Sequence, residues 1–367
     1  MKNMNKNIEK YICIACKNKI DSSNYKKYPD STMDSLVEFD ELEVLSCDFC
    51  QFSFPTRRVS EDHLEYYYSS AYSGVAKKVG KNFNKFSNNK SWYNPRYLSQ
   101  IQLLRKYYDI NSDTKILEIG SGIGDLFRTL KYLGYETQNY TIEPGKDAHP
   151  SLKYLGVNIF DMGLNKKSIS KTLSKDKYDI ILMSHSLEHF NAEDIPYILK
   201  EIYGSLSQNG VFLCEVPNAN LIKYPDANDL VNPHLAFFSI DSIRIFFEKT
   251  GFKIAFLSSC GENQLNKKPY SNSELSKLTK REYFNYKLSD DKKVKINIGY
   301  HKWLKNKNKH KRRKMILTNI LSPITNLFGL SSLIEKFRSI SIYSVLSDAN
   351  FIYSNDREFI RVIAKKS

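Results

Sequence analysis

From Lys115 to about Cys260, short apolar runs alternate with stretches whose apolar residues recur at helical spacing. The runs KILEIG, YTIEPG, VNIFDM, YDIILMSHS, GVFLCEVPN and FKIAFLSS read as strands, with DLFRTLKYLG, PYILKEIYGSL and DSIRIFFEKTG as the clearest helices between them. Strands that alternate with helices pair in parallel, because each crossover is long enough to form a helix that covers one face. The pattern predicts an α/β, doubly wound sheet. Two of the helices are expected to stop at Ser207-x-x-Gly210 and at Lys249-Thr250-Gly251. The closing REFIRVIAKKS is a strand with no helix after it, and it is expected beside the strand at 252–259. Four segments follow: 1–60, 61–110, the α/β core at 111–261 plus 357–367, and an insertion at 262–356.

The first strand of this core runs into glycines at every second position, KILEIGSGIGDLF. A dinucleotide fingerprint wants Gly-x-Gly-x-x-Gly/Ala, whose third small residue permits close helix packing. Here the spacing is Gly120-x-Gly122-x-Gly124, and Asp125 holds the place of the third small residue. Glu118 is also foreign to a nicotinamide turn, but an acid there can reach the ammonium of an amino-acid moiety. Glycines lacking Cβ let the backbone approach a ligand closely. Downstream, Glu143 ends YTIEPG, where a carboxylate can accept bonds from both hydroxyls of a ribose. Asp161 follows the third strand, near where an adenine amino group would lie, and SHSLEHF follows the fourth. In an open parallel sheet these carboxyl ends are where ligands bind.

The 367 residues carry a net charge of +15 and six cysteines. Four of them form Cys13-x-x-Cys16 and Cys47-x-x-Cys50, with thirty residues between the pairs. Two such pairs supply four thiolates to one Zn²⁺ and leave no open coordination position, so the site would be structural. A disulfide pair or unligated thiols are the other readings. Cys214 and Cys260 read as packing residues. Between Glu262 and Lys314 there are 17 Lys/Arg against 5 Asp/Glu. This run passes into an apolar stretch broken by Pro323, a pattern that suits either an anionic membrane surface or a solvated loop with a docked helix.

The ordered set Glu118, glycines, Glu143, Asp161 and Ser184–His189 resembles the class I S-adenosylmethionine-dependent methyltransferases, over about residues 95–260 plus the last strand. The resemblance implies a seven-stranded Rossmann-like sheet ending in an antiparallel hairpin strand, and S-adenosyl-L-methionine as cofactor. It implies donor binding by Glu118, Gly120, Ser121, Gly122, Gly124, Glu143 and Asp161, with Ser184 and His185 as a wall. SHSLEHF, LSQNGVFLCEVPN and HLAFFSIDSIRIFFEKTGF are similar to methyltransferases of small molecules and of bacterial surface glycans. The zinc-binding lobe at 1–60, followed by a tyrosine-rich helical connector at 61–110, resembles the sugar C-methyltransferases of deoxysugar pathways, in which lobe and tail help cover the acceptor. Tyr66, Tyr67, Tyr68 and Tyr72 would line that cover, or else form a helix packed on the core.

Methyl transfer to a hydroxyl needs a proton removed, and histidine suits that near neutral pH. His234 is the first candidate for base, with His185, Glu188 and His189 on the loop after the fourth strand. The sugar C-methyltransferases carry Tyr-His-Glu-His where this chain reads Val231, Asn232, Pro233 and His234. The missing tyrosine and glutamate shift the expectation from C- to O-methylation, of a nucleotide sugar, lipid-linked sugar or glycan. An RNA methyltransferase using the zinc lobe and basic insertion is the main rival, although SHSLEH replaces the Asn/Asp-Pro-Pro-aromatic loop of base methylation. A non-catalytic binding module on the same fold is the second. With no secretory leader pattern and no run of 18 apolar residues, the expected location is cytoplasmic, with a peripheral place at the inner face of the membrane.

Overall fold

The computed structural model describes residues 11–21, 25–27, 42–66, 68, 95–163, 165–173, 176–219, 234–262, 351–353 and 359–366. The basic segment, Val231–Pro233, Tyr67 and Tyr72 lie outside the described residues, as does the side chain of Tyr66.

The N-terminal lobe holds a two-stranded pair, β1 (Tyr11–Ile12) with β2 (Lys19–Ile20). A three-stranded antiparallel sheet follows, β3 (Tyr25–Lys27), β4 (Glu43–Ser46) and β5 (Ser53–Pro55). Among the described residues the helices α1 (Glu61–Tyr66) and α2 (Pro95–Leu104) come next. The core then alternates β6 (Lys115–Ile119), α3 (Asp125–Tyr132), β7 (Gln138–Ile142), α4 (His149–Tyr154), β8 (Asn158–Phe160), α5 (Lys166–Leu173), β9 (Tyr178–Ser184), α6 (Ile195–Ser205), β10 (Leu206–Pro217), α7 (Ile240–Thr250) and β11 (Phe252–Glu262). It closes with β12 (Phe351–Tyr353) and β13 (Phe359–Lys366).

The sheet order is β12-β11-β13-β10-β9-β6-β7-β8. From β8 to β10 the strands are parallel, and β13 runs antiparallel between β10 and β11. The last strand therefore pairs with the 252–262 strand, as expected, and with β10 as well. The eighth strand, β12, falls inside the stretch read as an insertion and extends the sheet at its edge.

Strand residues divide between two cores with period two. Leu117, Ile181, Met183, Phe212 and Cys214 pack on α5, α6 and α7 through Ile169, Ile198, Ile202 and Phe247. Their neighbours Ile116, Ile180, Leu182, Val211 and Leu213 pack on α2, α3 and α4 through Ile101, Phe127 and Leu152. Strands buried on both faces must be apolar almost throughout, which is why YDIILMS and GVFLCEV read as continuous runs. Helix α2 contributes Ile101, Leu103 and Leu104 to this second core, so residues 95–104 pack with the α/β unit rather than standing apart from it.

Of the two expected helix stops, one is in place. Gly251 takes a left-handed φ of 98° and closes α7. Gly210 does not end a helix. Helix α6 stops at Ser205 and the chain enters β10 at once, where a register shift between Leu206 and Val211 absorbs Ser207–Gly210.

Candidate functional site

Ile119, Ile142 and Phe160 share one register row across β6, β7 and β8. The next residue on each strand, Gly120, Glu143 and Asp161, opens an exit loop, so the three stand side by side at the carboxyl edge. Leu182 lies opposite Glu118, and Ser184, two residues on, therefore falls level with Gly120. The row continues through Glu215 on β10 to Arg361 on β13. Chain order reverses between β6 and β9, which is the switch point where such sheets bind ligands.

The glycine turn takes its shape from three left-handed residues, with φ of 80° at Gly120, 54° at Gly122 and 82° at Gly124. A Cβ on Gly122 would meet nothing within 4 Å, so open space lies over it. Gly124 differs. A Cβ there would stand 2.8 Å from Leu152 Cδ2, so this glycine serves close packing of the turn on α4 rather than ligand approach. Ser121 is likewise turned inward, buried, with its Oγ accepting from Thr141 Oγ1 at 2.8 Å. Both residues are expected to touch a donor, and within the chain Ser121 is held by a hydrogen bond and Gly124 by packing.

Glu118 is fully buried, with no cation paired to it among the described residues. Burial raises its pKa well above the usual carboxylate range; the Tyr97 hydroxyl opposes the rise, and Asp125 and Glu143 add to it. A buried carboxylate in this condition lacks a counter-charge. Glu143 is better satisfied. It accepts the amide N–H of Gly122 at 2.6 Å and of Gly145 at 2.7 Å, a clamp that holds the glycine turn against β7. Burial raises its pKa and these two amides resist the rise. Asp161 is exposed at the exit of β8.

Next to these lies a cluster of acids and imidazoles on the far side of Ser184. The Ser184 hydroxyl accepts from Gln100 Nε2 at 2.9 Å. His185 has a left-handed φ of 57°, a conformation that costs a non-glycine residue about 1–3 kcal/mol and gathers at functional sites. Its Nδ1 lies 3.4 Å from Glu188 Oε1 and its Nε2 3.3 Å from Glu215 Oε1, ion-pair contacts without hydrogen-bond alignment. Burial alone would lower the His185 pKa, but the two carboxylates raise it. Burial would raise Glu188, yet His185, His189 and His234 hold it at about 2. His234 is buried, its Nε2 3.9 Å from Glu188 Oε1, and burial drives its pKa down to about 3. The His189 ring stacks edge-on against His234 at 4.9 Å and against Tyr68 at 5.4 Å. The N-cap of α6 is Asp194, and no side chain caps it.

Several members of this site belong to no sequence motif. Glu215 and Arg361 are both fully buried and paired, Arg361 Nε donating to Glu215 Oε2 at 2.7 Å and Nη2 donating to the same oxygen. The Arg361 charge outweighs burial and holds Glu215 far below the usual range. Helix α2 supplies four more: Arg96 approaches Glu215 at 3.5 Å, Tyr97 acts on Glu118, Ser99 accepts from Arg361 at 3.1 Å, and Gln100 reaches Ser184. The visible signal was a single charge in each of two apolar strands, VFLCEVP and FIRVIA, and a polar face on YLSQIQLL.

The four knuckle cysteines come together. Cys13 and Cys50 Sγ lie 3.5 Å apart, as do Cys16 and Cys47, and all four lie within 4.8 Å of one another. The knuckles repeat one hydrogen-bond pattern: Lys17 N to Cys13 O and Gln51 N to Cys47 O, with Lys17 and Gln51 both at left-handed φ. Four thiols this close resist joint ionisation. A hydrogen bond from Cys50 draws Cys13 down to about 5, burial pushes Cys47 up to about 11, and Cys50 is raised by Cys13. A cation among them removes the conflict, so the set fits tetrahedral Zn²⁺.

The lobe is bonded to the cluster. Ser239 Oγ donates to Cys50 O at 2.6 Å, and Ser53 and Phe237 exchange backbone bonds of 3.0 and 2.9 Å. Asn191 bonds both ways with the Val59 backbone, and Arg58 grips Asp194 with two bonds of 3.1 and 2.7 Å. The segments that carry His189 and His234 are therefore both braced by the cysteine lobe.

Residues 90–255 match the family described as "Methyltransferase domain". No curated protein matches the chain. Among solved structures, a SAM dependent methyltransferase from Archaeoglobus fulgidus is similar at 14% identity, covering 74% of this chain and 95% of that one, with a TM-score of 0.39. A cyclopropane synthase from Mycobacterium tuberculosis aligns at 11% identity over 73% of this chain and 84% of its own, TM-score 0.39. A phosphoethanolamine N-methyltransferase from Haemonchus contortus aligns at 13% over 86% and 61%, TM-score 0.40. The family match takes in β6 to β10 and the glycine turn with the acids of its carboxyl edge.

Proposed function

We propose that the protein transfers a methyl group from S-adenosyl-L-methionine to an oxygen of a sugar or glycan intermediate. One observation carries the donor: Glu118 is a fully buried carboxylate with no cation paired to it among the described residues, directly behind a glycine turn with open space over Gly122. The ammonium of a methionyl group is the counter-charge that such a carboxylate lacks. The residues present fit this donor. Glu118 would hold its ammonium, Gly120 and Gly122 its backbone approach, Glu143 its ribose hydroxyls and Asp161 its adenine edge. The Glu143 oxygens that accept Gly122 and Gly145 retain lone pairs for those hydroxyls. When bound, the donor supplies an electrophilic methyl carbon on sulfur.

The chain's own task is to orient the acceptor and take its proton. His185, Glu188, His189 and His234 gather beyond Ser184, level with the glycine turn. Positioning two substrates in line is worth up to about 7–11 kcal/mol in favourable systems. A sugar as acceptor is supported by the resemblance of the four-thiol lobe to that of the sugar C-methyltransferases and by its direct bonds to the segments bearing His189 and His234. Among the described residues no helix is long and apolar enough to cross a membrane.

Calorimetric titration with S-adenosyl-L-methionine and with NADH tests the donor: heat with the first and none with the second is expected, and the reverse overturns the reading. Labelled donor incubated in parallel with nucleotide sugars, lipid-linked glycans and RNA tests the acceptor. Label in a sugar-containing acceptor is expected. Label in RNA alone replaces the sugar by nucleic acid, and no label anywhere replaces the enzyme by a binding module.

A further inference from the structure

Glu188, His189 and His234 do more than neighbour one another. One ligand atom from each, a carboxylate oxygen and two ring nitrogens, lies within 4.8 Å of the others. Glu188 is 1% exposed, and neither of its oxygens accepts a hydrogen bond. The trio is fixed before any ligand arrives. The carbonyl of Glu188 accepts the amides of Leu235 and Ala236 at 2.8 and 3.1 Å, tying the two segments together beside His234. His185 Nδ1 also stands 3.4 Å from Glu188 Oε1, an ion-pair contact.

We propose that Glu188, His189 and His234 form a second metal site, one that takes a divalent first-row cation. Two imidazoles and one carboxylate are a borderline donor set suited to Fe²⁺, Co²⁺ or Zn²⁺, unlike the four thiolates of the lobe. The two sites differ in purpose. Four thiolates close the coordination sphere of a tetrahedral ion, whereas three ligands leave positions open for oxygens from a substrate. Glu188 and His234 are buried and His189 is partly exposed, so ion and acceptor enter on the His189 side. A polyhydroxy acceptor fits those open positions, because neighbouring hydroxyls chelate one cation. Metal binding stands on the geometry alone; only the use of the open positions rests on the methyltransferase reading.

Equilibrium dialysis of the zinc-loaded protein against Co²⁺, with both metals counted afterwards, tests the site. The expected result is one zinc retained and one cobalt gained per chain. Glu188→Gln and His234→Gln should bind cobalt at least about tenfold more weakly while keeping their zinc, which shows that the lobe is intact. His189→Gln, the least buried of the three, gives the same answer where a buried variant does not fold. No cobalt beyond the thiol site in the wild type, or cobalt retained by all three variants, overturns the proposal. Calorimetry with S-adenosyl-L-methionine on the metal-free acid–imidazole site separates the two readings: donor heat without cobalt uptake leaves the methyltransferase standing and removes the metal, and the converse removes the donor alone.

Discussion

Glu118 and Glu215 are the same residue type, both fully buried at the carboxyl edge of one sheet and on the same face of it, and their charge states are opposite. Glu118, on β6, has no cation paired to it among the described residues, and burial pushes its pKa up. Glu215, on β10, has Arg361 bonded to it and is held far below the usual range. Burial penalises both equally in kind. What separates them is whether the fold itself supplies a cation. Where it does, the carboxylate is part of the framework; where it does not, the cation must come from a ligand. On the proposed function, the contrast divides the site into a donor end, waiting for charge, and an acceptor end, whose charge is largely balanced within the chain.

The largest expected effect is at the framework end. Glu215→Ala leaves the buried Arg361 guanidinium without its carboxylate, and the loss of stability should be about 3–5 kcal/mol, read as a drop in the midpoint of urea unfolding. A loss under about 1 kcal/mol would mean that Arg361 is solvated by other means. The two glycines of the turn come next. Gly122→Ala and Gly124→Ala both place a side chain at left-handed φ, at about 1–2 kcal/mol each, but only the Gly124 Cβ collides, 2.8 Å from Leu152. Gly124→Ala should therefore be the less stable of the two in thermal melts, whereas Gly122→Ala should lose more donor affinity by calorimetry, since its Cβ enters the open space. Equal donor affinities would break the distinction between a packing glycine and a ligand glycine.

The smallest effect has the opposite sign. Glu118→Gln removes a carboxylate whose folded pKa lies above its unfolded value. Such a group stabilises fully below the unfolded carboxyl value, about 4.3, and that contribution is lost as pH rises through the folded value. The variant's advantage should thus be absent at pH 4 and present at pH 8. It should melt about 2–4 °C above the wild type at the higher pH while binding S-adenosyl-L-methionine far more weakly. A variant that melts lower at pH 8 would show that Glu118 is already compensated, and the comparison with Glu215 would fail.

The donor end was readable because its parts are local. A strand, a bare turn and a helix start are contiguous in KILEIGSGIGDLF, and the alternation around them fixes the sheet's parallel order. The bond from Gly122 N to Glu143 spans 21 residues, one β–α–β unit, a separation that the fold class alone predicts. Side-chain direction was less accessible. Ser121 and Gly124 sit in the same motif as Gly122, but Thr141 and Leu152 claim them, and those contacts come from neighbouring elements.

At the acceptor end the sequence determined the residue types and little of their arrangement. SHSLEHF and the lone charges of VFLCEVP and FIRVIA are visible in the chain, as are two cysteine knuckles of matching pattern. That Arg361 answers Glu215 from 146 residues away, that Ser239 holds the cysteine lobe from 189 residues away, and that His234 turns toward Glu188 were decided by tertiary structure. The physical reason is that local periodicity specifies elements, whereas a buried charge takes whichever partner the packed sheet brings to its row.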